Sequence, residues 1–317
     1  MSARAGLAGR LIDRLRDGYA ASRSAFVGGA IIAVLVIMTA TVSLYSPYKP
    51  DAMDFMAPLS APTAAHLLGT DNFGRDILTR VLYGYQISLA VALGSVGFGL
   101  AAGVTLGLLA GYFGGALDNI IMRPMDVLMA FPAIVLVVAL TGFVGRELAV
   151  MVLAVAVVYV PIFARVMRGS TLEVVSELYV EGARARGASH LRLMLRHILP
   201  NAIAPVLIQA SILMGIAILL ESALSFIGLG TQPPDPSLGL MLSEGRSFMQ
   251  QAPWMVMVPG LAISLAVLGF NLLGNGLQDL LNPASRSAAA KSTDLRGQGD
   301  KPSGPVSGVA HAKKEGR

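Results

Sequence analysis

The sequence predicts an all-α, polytopic membrane protein with six transmembrane helices. Three observations carry that prediction. Of the 317 residues, 54% are hydrophobic and only 14% are charged, against about a quarter charged in an ordinary soluble chain. The apolar residues are gathered into runs long enough to cross a bilayer, which takes about 20 mostly apolar residues. Lys and Arg fall mainly into alternate connecting segments, the pattern expected of spans with a fixed orientation. Run length argues against a water-soluble protein folded round one core. The sequence has no cysteine, which removes disulfides, thiolate metal sites and a cysteine nucleophile and is neutral about redox compartment.

The elements follow in order. Residues 1–25 form a polar, basic N-terminal segment with Arg4, Arg10, Arg14, Arg16 and Arg23. "AFVGGAIIAVLVIMTATVSLYS" (25–46) is the first span. Its apolar core exceeds the 7–15 residues typical of a cleaved signal peptide, so it is read as retained. Residues 47–86 are polar and contain Pro47, Pro50, Pro58 and Pro62. The second span covers 87–112, and the short link "FGGALDNIIMR" precedes the third at 124–142. The fourth covers 148–164, and a charged loop occupies 165–201. The fifth covers 202–224, a loop containing "TQPPDPS" follows, and the sixth covers 254–273. The six-helix membrane domain is thus 26–283. The tail 284–317, rich in Ser, Ala, Gly and Lys, is expected to be disordered.

Six spans put both ends on one side, and the positive-inside rule chooses it. With a cytoplasmic N-terminus, the inside segments hold 19 Lys and Arg, against five outside: Lys49, Arg75, Arg80, Arg146 and Arg246. Both termini are therefore expected in the cytoplasm. The net charge of +5 is then an orientation signal, and a nucleic-acid patch is not needed to explain it.

The stretch "ELYVEGARARGASHLRLMLRHILPN" (177–201) interrupts an otherwise apolar chain. Glu173, Glu177, Glu181, Arg184, Arg186, Arg192 and Arg196 lie between 173 and 196. Burying seven charges in a bilayer costs roughly 20 kcal/mol at about 3 kcal/mol each, so this segment stays in the cytoplasm. Val174, Val175, Leu178, Tyr179, Gly182 and Ala183 recur at helical spacing and predict one apolar face. Glu181 and Arg184 stand three apart, close enough to pair weakly. Gly187 is expected to end the helix, and a second amphipathic piece, Leu191–Leu199, runs up to Pro200. Such helices either lie on lipid headgroups or dock in a groove of a partner.

"EGARARGASHLRLMLRHILPNA" resembles the signature loop of ABC-transporter permeases: Glu-Ala-Ala, three residues, Gly, then about ten residues to Ile-x-Leu-Pro. Glu181, Ala183, Gly187, Leu199 and Pro200 match. Gly182 stands where Ala is usual and His197 where Ile is usual. "RHILPN" is similar to the peptide-transporter branch. "LGTDNFGRDILTRVLYGYQISL" (68–89) and "ESALSFIGLG" (221–230), followed by "PPDPSLGLML", resemble the C-type subunit of dipeptide and oligopeptide permeases. The resemblance covers roughly 25–283.

The resemblance implies a type I ABC importer permease in a bacterial inner membrane. It implies a homologous second permease subunit, two cytoplasmic ABC ATPase subunits and an external solute-binding protein. Glu181, Gly182, Ala183, Arg184, Gly187, Leu199 and Pro200 would form the joint seated on an ATPase. ATP and Mg would be bound by those partners, with no cofactor or metal in this chain. Di- or oligopeptides are the implied cargo, with nickel, glutathione or another small solute as alternatives.

The remaining residues fit that reading. "GTDNFG" has phosphate-loop glycine spacing, but Arg75 and Asp76 follow where Lys and Ser/Thr are required. The histidines His66, His190, His197 and His311 form no metal motif, and no Ser/His/Asp grouping is recognisable. No catalytic chemistry is expected. Ser95, Gly99, Gly103, Gly107 and Gly111 recur every four residues and form a stripe for close helix approach, within this chain or against a second permease. Glu221 lies near the outer end of the fifth span, where a functional and a structural role are both open. Asp126 carries the same ambiguity. Asn271 could bond to a neighbouring helix, and Pro205 eases the start of the fifth span. No residue is assigned to substrate. An ion-coupled secondary transporter is the alternative of a different class, but no pair of broken spans marks one. A membrane enzyme lacks a catalytic grouping.

Overall fold

The computed structural model describes residues 23–145 and 147–281. Arg146, most of the basic N-terminal segment and the expected tail 284–317 lie outside the described residues.

Helix α1 (Arg23–Tyr45) is the first span. Helix α2 (Ile77–Phe113) is much longer than the expected second span. Its 37 residues measure about 55 Å at 1.5 Å per residue, well beyond the roughly 30 Å of a bilayer core. The surplus lies at its N-terminus, where Asp76 caps the helix by accepting from the Thr79 amide at 2.8 Å. Sequence reading stops short because Arg80 falls there. In the fold Arg80 is 1% exposed and surrounded by protein rather than lipid.

The expected third span is broken. Helices α3 (Gly115–Met129) and α4 (Ala133–Val144) meet at 90°. Pro132 between them adopts φ −56° and ψ 130°. Proline has no amide to continue the ladder, and it disfavours helical geometry at the preceding Phe131. Helix α5 (Leu148–Val175) continues 11 residues past the expected end of the fourth span at 164. Its added turns carry Arg165 and Arg168 to carboxylates on α3. The Arg168 guanidinium donates Nε and Nη2 to the two Asp118 oxygens, both at 2.6 Å, and Arg165 donates to Asp126 at 2.8 Å.

Helix α6 (Leu178–Ala185) and a short irregular helical stretch over His190–Ala202 make the charged loop. Helix α7 (Ala204–Phe226) is the fifth span, with Pro205 in its first turn, where its missing amide costs nothing. Helix α8 (Leu238–Gly245) is a short helix capped by Ser237, and α9 (Trp254–Leu281) is the last span. Among the described residues, five helices are long and apolar enough to cross a membrane alone, and the bent pair supplies a sixth crossing.

Packing supports that sixth crossing. β-Carbons on Gly99, Gly103, Gly107 and Gly111 of α2 would meet Tyr159, Phe163, Met167 and Thr171 of α5 in ascending order. Each partner lies 60 residues further along, so α2 and α5 run parallel. A chain that leaves α2 on one side and enters α5 from the other must cross between them. Spans α1 and α9 pack antiparallel through glycines: Gly28 abuts the Leu273 backbone and Gly276 abuts Ala25. Buried side chains from α2, α5, α7 and α9, among them Tyr85, Phe163, Ile218 and Phe270, form one continuous core.

Candidate functional site

The charged elbow is built from the end of α5 to the start of α7. Helix α5 ends at Val175, and a turn at Ser176 and Glu177 separates it from α6. That turn resets the helical phase. Val180 (0% exposed) and Ala183 (3%) face inward, while Leu178 (82%) and Tyr179 (45%) face out. The single apolar face expected over 174–183 is therefore split in two, because the helix is not continuous. One half holds the elbow to the membrane domain and the other half is presented outward. Partial burial and the neighbouring Glu177 carboxylate hold the Tyr179 phenol above its ordinary pKa.

The elbow turns at Gly187, whose φ of 81° favours glycine. The Gly187 amide donates to the Arg184 carbonyl at 3.0 Å, and the Ala188 amide to the Ala183 carbonyl at 3.2 Å. This is the two-bond closure of a Schellman motif. Glu181 and Arg184 are both exposed, and no ion pair joins them among the described residues. Water solvates both, so the expected weak pairing does not form. Gly182 is half-buried.

The second piece is not a plain helix. A π turn spans Leu193–Ile198. Pro200 accounts for it: proline lacks an amide and its ring crowds the carbonyl four residues back, which widens the ladder. Leu193 and Ile198 are buried, at 1% and 0% exposed, Leu199 is half-buried, and Pro200 is exposed. Leu191 (63%) and Leu195 (53%) point out, on the same elbow as Leu178 and Tyr179.

The His190 Nδ1 lies 2.7 Å from the Tyr112 hydroxyl, and its ring contacts Phe113. The elbow is thereby tied to the C-terminal end of α2. Sequence reasoning missed this contact; 78 residues separate the two, and His190, although inside the signature loop, is not one of its matching positions. Asp126, left ambiguous by sequence, partners Arg165. The glycine stripe, with Ser95 (0% exposed), is covered by α5 of the same chain, so that face is taken. Asn271 is half-buried on α9, and its side chain makes no hydrogen bond to a neighbouring helix among the described residues.

The opposite side of the molecule holds a cluster that sequence did not assemble. Asp71 accepts from the amides of Phe73 (2.8 Å) and Arg75 (3.0 Å), and from the Arg75 Nε. Arg75 and Arg80 both donate to Glu244 of α8, at 3.2 and 3.4 Å. The Trp254 indole donates to the Thr70 carbonyl at 3.1 Å. Gly69 and Gly74, whose spacing imitates a phosphate loop, sit at φ 80° and 74° in this cap, with Thr70 and Asp76 joined by a β-bridge. They turn the chain; they do not cradle phosphate. The Asp71–Arg75 spacing of four was the available signal. A charge count that sets orientation does not use that spacing.

These features define a class: a helical, multi-span membrane protein with a helix-turn elbow on one side and a compact ion-paired cap on the other. Residues 103–287 match the model of the family described as "Binding-protein-dependent transport system inner membrane component". The chain belongs to that family, and with it to the permease components of ABC importers. It is 42% identical to the dipeptide transport system permease protein DppC of Alkalihalophilus pseudofirmus, over 84% of this chain and 88% of that one. It is 44% identical to the glutathione transport system permease protein GsiD of Pectobacterium atrosepticum, over 83% and 88%. Among solved structures, the MetNI methionine ABC transporter in its inward-facing form matches with a TM-score of 0.52 and 18% identity. It covers 65% of this chain and 98% of its own, and shares the fold. The family assignment decides against the ion-coupled transporter.

Proposed function

We propose that this chain is one permease half of a peptide importer. Its partners would be a second, homologous permease, two cytoplasmic ATPases and an external solute-binding protein. Both termini and the elbow lie in the cytoplasm, on the strength of the 19-to-5 distribution of Lys and Arg. The observation that carries the coupling role is the split elbow. Val180 and Ala183 fasten α6 to the membrane domain, while Leu178, Tyr179, Leu191 and Leu195 present an apolar outer surface rimmed by Glu181, Arg184 and Arg186. That is the composition of a helix made to sit in a groove. Gly187, Leu199 and Pro200 shape the elbow that passes motion of the seated helix into α5 and α7. The energy comes from ATP and Mg bound by the partners, and this chain contributes no hydrolysis of its own.

The 42% identity to a dipeptide permease supports peptide as the cargo. Glutathione is the second reading, favoured by the 44% identity to a glutathione permease. The test is uptake by the complete assembly in proteoliposomes, with labelled dipeptide and labelled glutathione and internal ATP. ATP-dependent dipeptide uptake supports the first reading. Uptake of glutathione with none of dipeptide supports the second.

A further inference from the structure

Glu221 is 0% exposed in the outer half of α7, and no cation stands beside it among the described residues. A buried carboxylate is costly unless its oxygens are well hydrogen-bonded. Here hydroxyls do that work. Ser88 of α2 donates to Oε2 at 2.6 Å, Ser225 donates to Oε1 at 2.8 Å, and Ser222 reaches Oε2 at 3.4 Å. Ser88 and Ser225 are 0% exposed and Ser222 is 4%. Ser222 and Ser225 follow at one and four residues, on the same side of one helix.

The ring reaches beyond the helices. The Ser225 hydroxyl also accepts from the Thr231 amide at 3.3 Å, which places the outer loop after α7. A β-carbon on Gly230 would overlap that hydroxyl, and one on Gly239 of α8 would overlap the Ser222 carbonyl oxygen. The loop and α8 are therefore pressed directly on the shell around Glu221. Thr231 to Asp235 form one wall of an open cavity of about 330 Å³, whose other wall includes Ile87 of α2 and Met151 of α5.

We infer that Glu221 is a positioning residue for the outer mouth: through Ser225 it fixes the loop at Thr231 against α2 and α7. This rests on the proposed partnership with an external solute-binding protein, which would meet this chain at its outer loops. Replacing Glu221 by Leu removes the acceptors and frees the loop wall. Gln keeps an acceptor for Ser225, and its amide can donate to the Ser88 hydroxyl, which turns round. Ser225→Ala leaves the Glu221 side chain in place with Ser88 and Ser222, and cuts both bonds of the Ser225 hydroxyl, to Glu221 and to Thr231.

The test is ATPase stimulation of the complete assembly in nanodiscs, titrated with its solute-loaded binding protein. Glu221→Leu and Ser225→Ala should each raise the half-saturating concentration about tenfold, the scale of one or two lost buried hydrogen bonds. The maximal rate should stay within about twofold of wild type, and Glu221→Gln should titrate like wild type. Should Glu221→Leu fail to assemble, Ser225→Ala decides alone. Wild type stimulated by the binding protein, with Ser225→Ala titrating identically or losing only its maximal rate, overturns the inference. Wild type that does not respond to any loaded binding protein overturns the importer reading on which it rests.

Discussion

A β-carbon placed on Gly107 would overlap the carbonyl oxygen of Ala164 and stand 3.0 Å from its carbonyl carbon, so the backbones of α2 and α5 touch where these residues meet. No movement of a flexible side chain can relieve that contact. Gly107→Ala is expected to destabilise the chain by about 2 kcal/mol through overpacking. Gly97 lies on the same helix with nothing within 4 Å of its would-be β-carbon. Gly97→Ala should be neutral or stabilise by up to about 1 kcal/mol. Thermal unfolding of the two variants in detergent checks the contrast.

The elbow's corner depends on conformation alone. Gly187 sits at φ 81° with open space where a side chain would go. Gly187→Ala therefore costs about 1–2 kcal/mol of backbone strain without a clash. Gly187→Asn, which tolerates the left-handed region, costs less. Co-purification with the ATPases should fall in the order Gly, Asn, Ala.

The cap around Asp71 and Glu244 holds a buried charge cluster that cannot lose one member cheaply. Arg80 is 1% exposed beside Asp71 and Glu244. Arg80→Ala leaves those carboxylates underpaired and should cost about 3 kcal/mol. Limited proteolysis of the detergent-solubilised protein should then cut within residues 47–76 at protease levels that spare wild type.

Helix α3 is pinned to α5 by the two-bond pairing of Asp118 with Arg168. Both groups are partly exposed, at 19% and 34%, so the pair contributes about 1 kcal/mol at most. Asp118→Asn and Arg168→Gln should each lower the unfolding midpoint slightly. The double variant should lose less than the sum of the two.

Much of the architecture was legible because a bilayer imposes run length and charge asymmetry on sequence. The elbow was legible because seven charges cannot enter lipid. What escaped detection depended on tertiary partners. Arg80 truncated the predicted second span because its carboxylates, Asp71 and Glu244, lie 9 and 164 residues away. Arg165 did the same to the fourth span, with its partner Asp126 on α3. The break at Pro132 was available from proline chemistry alone but was submerged in an apolar run. The turn at Ser176 and Glu177, which splits the elbow's apolar face, has no strong signal of its own. Glu221 stands out in the sequence as an intramembrane acid, yet the Ser88 hydroxyl that bonds it lies 133 residues distant.

The central claim is that α6 sits on a cytoplasmic ATPase through its outward face. The sequence contains no cysteine, so a single Leu178→Cys substitution gives one addressable thiol at the most exposed point of that face. The decisive measurement is cross-linking of this thiol to ATPase subunits carrying surface cysteines, together with labelling of intact cells by a membrane-impermeant maleimide. The account predicts a specific cross-link to the ATPase and no labelling until the membrane is opened. Labelling of the introduced thiol in intact cells, with no cross-link in the assembled complex, would contradict it.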